Sequence, residues 1–92
     1  MIPAVILASI LAPTAPTQAE LAADVRGLLA AKCFACHGPD AESRKAGLRL
    51  DTKDGQRRAG RNGPAVTPGL PASSLLLQRI THSDPNTRMP PE

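Results

Sequence analysis

One aromatic side chain, Phe34, serves the whole 92-residue chain, alongside ten prolines and seven glycines and without a Trp or Tyr. A chain of this size can form one small domain at most. Domains so small rarely enclose a sufficient apolar core unaided and usually need a disulfide, a metal or a cofactor. The low aromatic content therefore points either to an interior completed by something other than protein or to partial disorder. The sequence should then contain a group able to hold such a filling.

It does so at Cys33-Phe34-Ala35-Cys36-His37, which contains both cysteines of the chain. The pattern C-x-x-C-H is the attachment signature of a c-type haem. Two thiols at this spacing can each add across one vinyl group of a porphyrin, and the adjoining imidazole can bind iron as the proximal ligand. A large apolar disc of this kind would supply the missing core. The cofactor would carry the redox chemistry, and the protein its attachment, orientation and tuning.

Other readings of the two cysteines are weaker. A redox dithiol calls for a thioredoxin-like βαβ pattern, and none is present. A structural zinc site calls for four ligands, and Cys33, Cys36 and His37 with a distant His82 make a poor set. A local disulfide leaves the immediately following His37 without a reason. No nucleophile–base–orienter set suggests hydrolysis.

Residues 1–19 contain no charged residue. The apolar run Ile2 to Ala12 and the Pro- and Thr-rich sequence ending in Thr17-Gln18-Ala19 resemble a secretory signal with cleavage after Ala19, although the n-region lacks its usual Lys or Arg. A plain N-terminal tail is the alternative. The run is too short to span a bilayer, which takes about 20 apolar residues. The expected organisation is a signal over 1–19 and one domain over 20–92, exported to the periplasm or another extracytoplasmic compartment. Haem c attachment takes place in such a compartment.

The formal charge of +3 would fall to about +1 with two ionised haem propionates, too little to argue for nucleic acid. Nor is there an aromatic platform for stacking on bases. Lys53, Arg57, Arg58 and Arg61 read as a solvated basic loop, with a propionate partner among them as the lesser alternative.

Leu21, Val25 and Leu28 recur at i, i+4 and i+7 with Leu29 beside them, which predicts a helix from Glu20 to Cys33. Glu20 and Asp24 near its start and Lys32 near its end complement the helix dipole. The helix is expected to run into the haem motif and stop at Gly38-Pro39. Residues 40–70 read as turns punctuated by Gly and Pro, with Gly47-Leu48-Arg49-Leu50-Asp51 as a short extended segment. A second helix is expected over Ser74 to Ile80 with Ser73 as N-cap, and a loop from Thr81 to Glu92.

With cleavage after Ala19, Met89 is the one methionine left. A thioether sulfur opposite histidine gives the His/Met pair of electron-transfer cytochromes, and Pro90 and Pro91 restrict the backbone that would carry it. An isolated Met is more often packing than ligand. Bis-histidine ligation through His82, otherwise an exposed loop residue, is the alternative.

Several ordered stretches resemble the planctomycete-type cytochrome c domain, within the class I cytochrome c fold. They are Cys33-Phe34-Ala35-Cys36-His37-Gly38-Pro39-Asp40, Lys45-Ala46-Gly47-Leu48-Arg49-Leu50-Asp51, Pro68 to Leu76 with Arg79-Ile80, Asp84-Pro85, and Arg88-Met89-Pro90-Pro91. The resemblance implies a mostly α, small cytochrome c-like fold with helices wrapped around a covalently bound haem and long irregular loops. It also implies thioether links at Cys33 and Cys36, His37 as proximal ligand and Met89 as distal ligand. The corresponding function is a one-electron carrier, not an enzyme, working with a redox partner protein or a fused downstream domain. A peroxidase-like haem enzyme with an open or labile sixth iron position is the alternative. Such domains usually continue past Met-Pro-Pro into a helix that packs across the first one, so this chain is expected to be a fragment.

Overall fold

The structure is a computed structural model and describes residues 2–5 and 13–91. The apolar run of the expected export signal therefore falls mostly outside the described residues. What is described is helix and irregular coil without a strand, apart from a single antiparallel bridge between Gly60 and Gly63. The helices are α1 (Gln18–Lys32), α2 (Lys53–Arg57) and α3 (Leu75–Ile80), with a 3-10 turn over Pro71–Ser73. None is long and apolar enough to cross a membrane.

Helix α1 starts two residues before the predicted Glu20 and crosses the Ala19–Glu20 bond. Thr17 explains the earlier start: its hydroxyl accepts the Glu20 N–H at 3.1 Å. Thr17-Gln18-Ala19-Glu20 thus has the S/T-x-x-E spacing of a capping box. The helix also ends earlier than expected, at Lys32, so Gly38-Pro39 is not its stop. Cys33–Cys36 form successive turns instead, with the Cys33 and Phe34 N–H groups both donating to the Leu29 carbonyl. The apolar stripe is only partly used. Leu29 is buried, whereas Leu21, Val25 and Leu28 are about half exposed or more.

Helix α2 lies where only turns were expected. Thr52 caps it by accepting the Gly55 N–H at 3.0 Å, and Arg58 pairs with Asp54 one turn away at its exposed surface. Gly55 fits because a Cβ there would come within 2.3 Å of the Arg49 carbonyl oxygen. Gly38 is similarly tight, since its Cβ would lie 2.2 Å from the Phe34 carbonyl oxygen.

Helix α3 begins one residue late, at Leu75, with Ser74 and not Ser73 at its N-cap position, and the Ser74 side chain makes no capping bond to the helix. Its hydroxyl accepts the Thr67 N–H at 2.9 Å and lies 3.3 Å from both the Thr67 and Leu70 carbonyls. Ser74 is thereby buried as a tie between two turns. The segment Gly47–Asp51 pairs with no strand. Leu50 is nevertheless the most enclosed side chain, at 2 % exposure.

Single main-chain bonds connect these pieces in sequence. Lys45 N–H donates to the Cys36 carbonyl and Leu50 N–H to the His37 carbonyl, at 2.7 and 2.8 Å. The Gln56 side chain donates to the Leu50 carbonyl at 2.8 Å. Val66 N–H then reaches the Gln56 carbonyl at 2.8 Å, and Leu76 N–H the Ala65 carbonyl at 2.9 Å. The relay ends where Met89 N–H donates to the Arg79 carbonyl at 3.1 Å.

Two outcomes follow from these ties. Ser74→Ala leaves the Thr67 N–H without its partner and should lower stability by about 1–3 kcal/mol in denaturant unfolding; an unchanged midpoint would show that the tie is dispensable. The second concerns acid. The Arg49 guanidinium, 2.6 Å from Asp51, holds the Asp51 carboxyl below its ordinary range. A carboxyl whose folded pKa is depressed contributes stability fully above its unfolded value of about 3.9, and loses that contribution as pH falls through the folded value. Asp51→Asn should therefore flatten the acid-unfolding curve below about pH 4 and leave a constant deficit at neutral pH. An acid limb identical to that of the parent would assign the loss to other carboxylates.

Candidate haem site

The relay brings the two ends of the chain to one cavity of about 400 Å³. Cys33 and His37 line it from the motif side, and Met89 from the C-terminal side. Between them the wall is largely aliphatic, with Leu48, Leu50 and Ala65 from the middle of the chain and Leu75, Leu76 and Ile80 from α3. Leu77 of the same helix is exposed and is not part of the wall. Arg61, Asn62 and Arg79 add polar groups.

Local structure explains how the motif presents itself. After α1 ends, the His37 N–H donates to the Cys33 carbonyl at 2.8 Å, and the His37 carbonyl is held by Leu50. The imidazole backbone is thus fixed on both sides. Its Nδ1 is buried and has no hydrogen-bond partner, so the polypeptide leaves part of the ring's bonding capacity unmet. A buried polar atom in this condition is uncommon in a native fold and calls for an explanation such as a bound group. Both cysteines are free; Cys33 is half-buried and Cys36 exposed. Burial pushes the Cys33 thiol above its ordinary value. Among the described residues no three His, Cys, Asp or Glu side chains converge as a metal-ligand set.

Met89 is partly exposed, at 36 %, and its peptide bond to Pro90 is cis. His82 does not line the cavity. Its Nδ1 accepts the Asp84 N–H at 3.0 Å. A neutral imidazole that accepts at Nδ1 carries its proton on Nε2, so neither nitrogen offers a free lone pair in this arrangement.

Of the four basic residues read as one loop, Lys53 and Arg57 lie on α2, and Arg58 lines a second cavity of about 460 Å³ together with Arg44 and Arg49. Only Arg61 of the four reaches the cavity of Cys33 and His37. It sits in the turn stapled by the Gly60–Gly63 bridge, whose two main-chain bonds measure 3.3 and 3.2 Å. Arg79, also on the cavity, was read from the sequence only as part of a family pattern.

The donor set and the aliphatic wall fit a haem: thiol and imidazole at one end, thioether at the other, and apolar surface between. No curated protein and no solved structure matches the chain. A family model described as planctomycete cytochrome C matches residues 33–92, from the first cysteine of the motif onward and over more than half of the sequence. The chain belongs to the planctomycete cytochrome C family.

Proposed function

We propose that the chain is an exported electron-transfer domain, with residues 1–19 as its signal and 20–92 as a cytochrome c domain. Cys33 and Cys36 would hold haem c through two thioethers, His37 would be the proximal iron ligand and Met89 the distal one. When bound, the haem supplies a one-electron Fe(III)/Fe(II) couple. Family membership and the convergence of Cys33, His37 and Met89 on one apolar-walled cavity support this reading, and the convergence carries it.

The chain's own residues have separate tasks. Each thiol would serve as an attachment point, its sulfur bonding one vinyl carbon and its proton passing to the neighbouring carbon. His37 presents an imidazole whose main chain is held by Cys33 and Leu50. Leu48, Leu50, Leu75, Leu76 and Ile80 exclude water from the porphyrin faces. Arg61 offers a cation to the haem carboxylates. Met89 supplies a neutral sulfur, and a His/Met pair favours electron transfer at a raised potential. Partial exposure of Met89 leaves the haem region accessible to a redox partner, either a separate protein or a fused domain.

The occupied Nδ1 of His82 supports Met89 over His82 as distal ligand. A peroxidase-like enzyme would instead require an open or labile sixth position.

Expression with a cytochrome c maturation system tests the reading directly. The parent should carry covalent haem with sharp reduced bands, and its oxidised form should show the weak far-red sulfur-to-iron absorption. Cys36→Ala and His37→Ala should abolish the normal covalent haem spectrum; an unchanged spectrum in either would remove the assignment. Met89→Ala should lose the far-red band while His82→Ala keeps it; a parent that lacks the band and changes its haem spectrum in His82→Ala but not in Met89→Ala would transfer the ligand to His82. Cyanide should bind the parent slowly, whereas rapid binding would favour the enzyme reading.

A further inference from the structure

Arg79 stands at the one place where α3 meets the segment carrying Met89, and it binds that segment twice. Its carbonyl accepts the Met89 N–H at 3.1 Å, and its guanidinium Nη1 donates to the Thr87 carbonyl at 3.1 Å. The same carbonyl also receives the His82 N–H at 3.4 Å. The intervening residues close on themselves around Asp84. Its carbonyl accepts the Thr87 and Arg88 N–H groups, and its carboxylate accepts the Asn86 N–H and the Thr87 hydroxyl. Residues 82–88 therefore form a bonded turn whose return end is fastened to the last turn of α3.

We infer that Arg79 is a positioning residue, a latch that holds Met89 at the cavity. The inference rests on the reading of Met89 as distal ligand. Its physical basis is the division of labour between side chain and main chain. The main-chain bond from Met89 would survive any side-chain replacement at position 79, but it is one bond at a partly exposed residue. The guanidinium adds a second attachment two residues upstream, so loss of either bond leaves the other to keep the segment against α3. A fork with several N–H donors suits this position because it can hold a main-chain carbonyl and still line the cavity.

The test compares the haem-loaded parent with Arg79→Gln, Arg79→Lys and Arg57→Gln. Arg57 lies on α2, outside the cavity, and its replacement controls for the loss of one positive charge. The readouts are the far-red band of the oxidised protein and the limiting rate at which excess imidazole displaces the sulfur, which reports release of the segment. Arg79→Gln should weaken the band and raise the limiting rate about fivefold to tenfold, the factor expected from loss of one hydrogen bond. Arg57→Gln should behave as the parent, and Arg79→Lys should fall between. If Arg79→Gln fails to take up haem, Arg79→Lys carries the comparison, with faster displacement than in the parent supporting the latch. A parental band and parental rates in the position-79 variants would overturn the latch while leaving Met89 as ligand. A parent without the far-red band would overturn the Met89 reading, and the latch with it.

Discussion

Leu50 is the junction on which the other parts of this chain depend. Its N–H holds the His37 carbonyl, its own carbonyl receives the Gln56 side chain, and its side chain is the most enclosed in the fold. One residue thus fixes the histidine of the motif, anchors α2 and supplies part of the cavity wall. In a sheet protein such connections would be repeated along a ladder. Here each is made once, so little redundancy protects the site against loss of any one of them.

This economy has a physical cause. A chain with one aromatic residue has few large side chains with which to enclose an interior, and among the described residues Leu29, Leu50 and Ala65 are the buried apolar ones. Leu48, Leu75, Leu76 and Ile80 line the cavity. The fold is organised around a space, and hydrogen bonds between turns set the size of that space. The turns are held by polar side chains with defined tasks: Ser74 between Thr67 and Leu70, and Asp84 within 82–88. Arg49 and Asp51 flank the buried Leu50 with a part-buried ion pair, so the charge of each is matched where solvent is reduced.

Cys33, His37 and Met89, which line the cavity, were easier to single out in the sequence than the structure that supports them. C-x-x-C-H is a local pattern, and its separation from Met89 is visible by inspection. Helix α1 was legible from the spacing of Leu21, Val25 and Leu28, but the start was misplaced because Thr17 and Glu20 were not read together as a cap. Helix α2 was missed because Gly55 suggests a turn; the need for glycine there arises from the approach of the Arg49 carbonyl, a contact distant from any local pattern. Ser73 was chosen as N-cap for α3 on residue type, whereas Ser74 is spent on the 67–70 turn. Arg79 could not be recognised from periodicity, since its importance lies in which carbonyl its guanidinium reaches. The missed features share one property: they depend on contacts between turns and not on a repeat along the chain.

Leu29 is the single buried side chain of α1, and its carbonyl is also where the Cys33 and Phe34 N–H groups end. The final turn of the helix is therefore tied to the motif, while its earlier turns rest on their cap and their own ladder. Local opening free energies in a protein range from nearly zero at loosely packed ends to the global value in the core. Amide protons in α1 should accordingly exchange along a gradient, fastest in the turns farthest from the motif and slowest near Leu29. The first turns of α1 can then unravel while the turn that carries Leu29 and Cys33 stays with the cavity.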